Sequence, residues 1–245
     1  MTVGAPLDAE VSYLQSRPTA AAPAGARILL IHGTPGSAAS WADYLLRPPA
    51  GAEVVAIDRP GFGRSGPPGA MPALAQQAAA VAALLPEVGR PVVLVGHSLG
   101  GPVAAYLAAR LALDAPERRV TLVLLAASLD PAQEDIHPMQ HVGAWSPVRA
   151  LLPRVIRNAN TELMALKPEL EALARMLPQI TARVLIVHGT RDDLVPVANV
   201  AYMQSRLLGA ACVQTRLLPE RNHFLPWNSQ PEVRQALDAA LAVAC

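Results

Sequence analysis

The chain is poor in cysteine, holds a single lysine, carries no block of like charge and has no apolar stretch of membrane-spanning length. Each absence removes a class of protein. Two cysteines, Cys212 and Cys245, in 245 residues are too few for a disulfide framework. Two free thiols in a reducing compartment are therefore expected. A formal net charge of +1, spread without a basic or acidic run, argues against nucleic acid or an anionic membrane as the main partner. No apolar run reaches the roughly 18–20 residues of a membrane span. The opening "MTVGAPLDAE" has an early acidic residue and no apolar stretch, unlike a secretory signal, so the cytoplasm is the expected location. Lys167 is the only lysine, and 24 prolines and abundant alanine accompany it. That composition suggests GC-rich bacterial coding and carries no functional information.

What the chain does hold is apolar bulk in short pieces. Hydrophobic residues make up 52% and charged residues 16%, enough for a large core and too apolar for a disordered chain. "RILLI" (27–31), "EVVAI" (53–57), "VVLV" (92–95), "VTLVLL" (120–125), "RVLIV" (183–187) and "VQTRLL" (213–218) have strand length and no polar alternation. Such strands need cover on both faces, as in a parallel sheet with crossover helices. Helical patterns fall near 73–88, 101–113, 197–208 and 232–243. The alternation predicts an α/β fold with a doubly wound, mostly parallel sheet. "EVSYLQS" (10–16) alternates more and is expected as an antiparallel edge strand.

The rhythm breaks once. Between the fourth and fifth runs lie some fifty residues with helix-like segments and no convincing strand. An excursion of that length in an α/β domain reads as a binding insertion or lid. The expected division is a core of 1–129 and 183–245 with a helical lid over 130–182.

Ligands of open parallel sheets bind beyond the carboxyl ends of the strands, so the residues after each run matter most. After 92–95 comes Gly96-His97-Ser98-Leu99-Gly100-Gly101, a G-x-S-x-G turn from a buried strand into a helix. This turn holds a serine in a strained conformation with its hydroxyl exposed. Gly96 and Gly100 are required because a Cβ at either position would collide across the turn. A serine hydroxyl needs a base, and the base an orienting acid. In this scaffold they follow in the order serine, acid, histidine. "HGTRDDLVP" after 183–187 supplies Asp192 and Asp193; "PERNHFLPW" after 213–218 supplies His223. Asp130, just past 120–125, is a further choice of acid.

With "HGTPG" (32–36) after the first long strand and "DRPGFGRS" (58–65) after the next, the chain resembles the α/β-hydrolase superfamily over about 27–243. The inserted segment is the poorly matching part. That resemblance implies Ser98 as nucleophile, Asp192 as acid and His223 as base. The oxyanion hole would be the backbone N–H groups of Thr34 and Leu99. It makes Asp58 a loop-ordering residue. His32 and His188 each sit in a strand-end His-Gly turn and are expected to bond backbone there. His137 and His141 are four apart, but no carboxylate or cysteine completes a metal set and Pro138 should interrupt a helix there.

A serine at the elbow argues against epoxide hydrolases and haloalkane dehalogenases, which use aspartate. The expected activity is that of a serine hydrolase on a small, largely apolar carboxylic ester, with no metal or cofactor and a small molecule as the only implied partner. A carbon–carbon bond hydrolase, lactonase, amidase or perhydrolase would use the same triad. A catalytically idle receptor would use only the pocket. Specificity should reside in the insertion, where most large apolar residues pack the core. Trp145 and Met139 are the expected pocket residues. Charged groups look sparse around Trp145, which favours uncharged substrates.

Overall fold

Each apolar run becomes a strand, and a helix follows most of them. A computed structural model describes residues 9–16 and 25–242, together with the backbone of residues 2 and 3. In chain order the strands are β1 (Thr2–Val3), β2 (Ala9–Glu10), β3 (Tyr13–Gln15), β4 (Arg27–Ile31), β5 (Glu53–Ile57), β6 (Val92–His97), β7 (Val120–Leu125), β8 (Arg183–Gly189) and β9 (Cys212–Leu218). The helices are α1 (Ala42–Leu46), α2 (Leu74–Ala82), α3 (Gly100–Asp114), α4 (Pro138–Ala144), α5 (Ser146–Leu151), α6 (Arg154–Ala174), α7 (Ala198–Arg206), α8 (Leu225–Asn228) and α9 (Gln230–Leu241).

β1 and β2 pair on their own, and the other strands form a seven-stranded sheet in the order β3-β5-β4-β6-β7-β8-β9. Only β3 runs antiparallel, on the edge beside β5. It is shorter than the expected 10–16. Successive residues of the central strands face opposite cores, which is why their sequences show no polar alternation. Leu29, Ile31, Leu94, Leu122 and Ile186 pack with α2, α3, α6 and α7. Ile28, Leu30, Val93, Val95 and Val187 pack with α1 and α9 on the other face.

The strand order places the site. From β4 the chain moves to β5 on one side, then crosses to β6 on the other. The carboxyl ends of β4 and β6 therefore flank the point where connections diverge, the usual crevice of such sheets. "HGTPG" leaves β4 there, and the serine turn leaves β6.

Three expectations need correction. The helix expected over 73–88 stops at Ala82: Leu84 and Leu85 close tighter turns onto Val81 and Ala82, and Pro86 disfavours helical backbone just before it. Pro138 does not interrupt a helix but opens one, with His137 outside it as the capping residue; proline's missing N–H costs nothing at a first turn. Cys212 is disulfide-bonded, not free, and Cys245 lies outside the described residues. The cause is the return of α9: Ala242, just past its end, accepts from Arg183, which is the register partner of Cys212. Ala242 is thus carried to the start of β8, beside β9.

Among the described residues, the segment between β7 and β8 is helical throughout its regular parts. α6 is fastened to the core along its length. Arg154 donates to Ser65 O at 2.7 Å, Asn158 to Gly61 O at 2.8 Å, and Glu169 accepts from the N–H of Leu74 at 2.8 Å, capping α2. Leu166, Leu170 and Leu173 are buried in the main core. α4 and α5 bury no residue fully.

Candidate active site

The serine turn is built by close approach. A Cβ on Gly96 would sit 2.3 Å from Gly100 O, and one on Gly100 would sit 2.3 Å from Ile31 O. Substitution at either glycine would force strand and helix apart. Ser98 itself has φ 54°, a left-handed conformation that costs a non-glycine residue about 1–2 kcal/mol. The turn is held by bonds from Ser98 N–H to Leu125 O at 3.0 Å and from Gly101 N–H to Ser98 O at 2.9 Å. The loop after β4 crosses directly over the serine: a Cβ on Gly33 would lie 2.8 Å from Ser98 Cβ.

Asp192 and His223, far apart in the chain, meet in space. His223 Nδ1 donates to Asp192 Oδ2 at 2.8 Å, although 31 positions separate them. The other oxygen, Oδ1, accepts from the N–H groups of Leu194 (3.0 Å) and Val195 (2.8 Å). Burial alone would raise the Asp192 carboxyl. The bonds from His223 and Val195, with the nearby His223 and His188, outweigh it and hold the group below its ordinary value. Asp193 is exposed. Asp130 spends its carboxylate on the N–H of Ala132 at 2.9 Å. Neither is the partner of His223.

Ser98 is tied to the pair through its neighbour. The His97 ring packs 4.9 Å from that of His223, and Nε2 donates to His223 O at 3.0 Å. Burial, with the nearby His223, lowers His97 to a pKa of about 4, so it is neutral near pH 7. Among the described residues neither Ser98 Oγ nor His223 Nε2 makes a hydrogen bond. The N–H groups of Thr34 and Leu99 likewise have no acceptor there.

His32 and His188 serve backbone. His32 Nδ1 donates to Gly33 O at 2.7 Å, and His188 Nε2 donates to Val195 O at 2.9 Å. Asp58 orders two loops, accepting from Ala38 at 2.7 Å and Arg64 at 3.0 Å. Among the described residues no group of three His, Cys, Asp or Glu side chains is arranged to hold a metal ion.

Met139 and Trp145 are 64% and 65% exposed on the inserted segment. Arg149 and Arg157 line a cavity of about 200 Å³ on this segment with Gly143 and Ala144. Arg149 is a near neighbour in sequence, whereas Arg157 is brought there from α6. A larger cavity of about 520 Å³, lined by Pro91, Arg119, Thr181 and Ala211 among others, lies at the amino ends of the strands. It is at the wrong end of the sheet for the serine. Sequence reading also missed a buried cluster, Arg59, Gln77 and Glu162, against the loop after β4. Its one signal was an arginine inside "DRPGFGRS".

The chain belongs to the alpha/beta hydrolase family, whose model matches residues 28–236. It is 30% identical to a pimeloyl-[acyl-carrier protein] methyl ester esterase of Neisseria meningitidis serogroup C, over 86% of this chain and 91% of the relative. It is 44% identical to part of the dihydrolipoyllysine-residue acetyltransferase component of the acetoin cleaving system of Cupriavidus necator, over 40% of this chain. That match spans only 26% of the relative's length. Among solved structures, a monoacylglycerol lipase of Paleococcus ferrophilus superposes with a TM-score of 0.74 at 18% identity, covering 95% of this chain and 98% of that one; at that identity it speaks for the fold.

Proposed function

We propose that the protein is a serine hydrolase of small, largely apolar carboxylic esters, working through an acyl-enzyme on Ser98, His223 and Asp192. The observation that carries this reading is the 2.8 Å bond from His223 Nδ1 to Asp192 Oδ2, beside a serine at φ 54°. With Nδ1 protonated, Nε2 is the basic nitrogen. Ser98 Oγ attacks the ester carbonyl carbon, its proton passes to His223 Nε2, and the carbonyl π pair moves onto oxygen. The N–H groups of Thr34 and Leu99 receive that oxyanion. Collapse expels the alkoxide, which takes the proton from His223, and water then repeats the sequence to release the acid. The esterase relative supports an ester as the bond cleaved. α4 and α5, with Trp145 and Met139, are proposed as the substrate-facing part of the lid.

A fluorophosphonate probe tests the assignment. It should add to the wild-type chain at Ser98, seen by intact mass and peptide mapping. Ser98→Ala should remain folded, lose the label and lose nearly all turnover of p-nitrophenyl esters. Labelling that persists in Ser98→Ala would exclude Ser98 as the nucleophile.

A further inference from the structure

Arg59 is the first residue but one after β5, and its side chain is completely buried. A buried guanidinium has five N–H groups to satisfy, and all five are used. Nε donates to His32 O at 2.8 Å. Nη2 donates to Gly33 O at 2.9 Å and to Glu162 Oε2 at 3.0 Å. Nη1 donates to Glu162 Oε1 at 2.8 Å and to Gln77 Oε1. Gln77 Nε2 in turn donates to Glu162 Oε1 at 2.6 Å and to Met71 O at 2.9 Å. A buried pair of this kind contributes little to stability over an apolar pair of the same volume, so its position calls for another account.

That position is the back of a peptide bond. Gly33 O and Thr34 N–H belong to one planar unit. The oxygen accepts from Arg59 Nη2 and, at 2.7 Å, from His32 Nδ1. Arg59 also settles the His32 tautomer, because its backbone N–H donates to His32 Nε2 at 3.0 Å and leaves the proton on Nδ1. Two donors on the oxygen fix the plane of the unit. They also draw electron density away from its nitrogen, which makes the N–H at the far end a stronger donor. Glu162 cancels the charge that burial would otherwise penalise, and it comes from α6, inside the inserted segment.

We propose that Arg59 is a positioning residue for the oxyanion hole: it aims and polarises the Thr34 N–H through the Gly33 carbonyl, and Glu162 on α6 holds it there. The proposal rests on the reading of Ser98 and Thr34 given above. Its consequence is that the inserted segment, through one carboxylate, sets the strength of a catalytic donor it does not touch.

Two variants of the full chain test this. Arg59→Met/Glu162→Met removes both charges at similar volume and so avoids leaving one ion buried alone. Arg59→Lys keeps a cation for Glu162, but one Nζ cannot span two carbonyls and a carboxylate, and it carries the test if the pair variant does not fold. Readouts are kcat and KM on p-nitrophenyl butyrate, inhibition by a trifluoromethyl ketone, which forms a tetrahedral oxyanion, and binding of butyrate. We expect kcat to fall about tenfold to a hundredfold with KM within roughly threefold, short of the 10²–10³ typical of deleting an oxyanion donor outright. Ketone affinity should fall by the same factor as kcat/KM, while butyrate binding stays constant. A folded variant with unchanged kcat and ketone affinity overturns the proposal. So does a loss shared equally by butyrate, which marks general damage to the site. Wild-type protein that hydrolyses esters without fluorophosphonate labelling at Ser98 overturns the underlying reading first, and this one with it.

Discussion

At Ser98 the backbone is held in a left-handed conformation where Gly33, Gly96 and Gly100 leave room for loop, strand and helix to close on one another. Asp192 is held as closely, its two oxygens divided between loop amides and His223. The carboxylate has two tasks in the proposed mechanism: keeping the proton on His223 Nδ1 and stabilising the imidazolium that forms. Asparagine keeps the shape and removes the charge. Asp192→Asn should lower kcat on the order of 10³- to 10⁴-fold, by analogy with other triads. Asp193→Asn should be near normal, since the side chain is exposed. Asp130→Asn should leave kcat unchanged and cost at most about 1 kcal/mol of stability as a weakened cap. Steady-state rates and thermal melts of the three variants check the ranking, and equal small losses in all three would refute it.

At the level of elements, the insertion between β7 and β8 has two characters. α6 is amphipathic and bound to the core by Leu166, Leu170, Leu173 and the Arg59–Glu162 pair. α4 and α5 are short, and Met139, Val142, Trp145 and Leu151 are exposed on and around them. If these side chains meet the substrate, each methylene of the acyl group buried against them adds about 0.8 kcal/mol until the space is filled. kcat/KM on p-nitrophenyl esters should rise from acetyl to butyryl or hexanoyl and then fall. Trp145→Ala should move that optimum without abolishing acetyl ester turnover. A chain-length profile that is flat, or identical in wild type and variant, would count against a substrate-facing role. The Arg149 and Arg157 cavity makes a carboxylate-bearing ester the informative comparison: strong preference for it would favour an anionic substrate.

For the whole molecule, three buried histidines couple stability to pH. Burial lowers His32, with Arg59 adding to the effect; it also lowers His97, to about 4, and His188. A histidine held below 6.5 binds fewer protons folded than unfolded, so its contribution is complete above about pH 6.5 and is lost as pH falls toward the folded value. For His97 the span from 6.5 to about 4 is worth on the order of 3 kcal/mol. Urea midpoints should therefore drop between pH 7.5 and pH 4.5, and His97→Gln should flatten part of that slope. A midpoint constant across the interval would contradict it. Asp192, held below the ordinary carboxylate value, adds its own loss only at more acid pH.

Local chemistry explains why so much was readable in the chain. Runs such as "RILLI" and "VTLVLL" are strands because both their faces are buried, and that requirement is written in consecutive residues. The serine turn was equally legible, since Gly96 and Gly100 are dictated by contacts within a few positions of the serine or across one strand. Chain order narrowed the candidate acids, but which carboxylate bonds His223 is set only in space, where Asp192 reaches it and Asp193 is exposed. Arg59, Gln77 and Glu162 were invisible: 103 positions separate the arginine from its carboxylate, and no periodicity announces a bond of that span. The disulfide at Cys212 belongs to the same class, because it depends on where α9 ends relative to β9. Short-range sterics and burial patterns act between near neighbours and leave marks in the sequence. Pairings of buried polar groups depend on how the finished elements dock, and only the tertiary structure decides them.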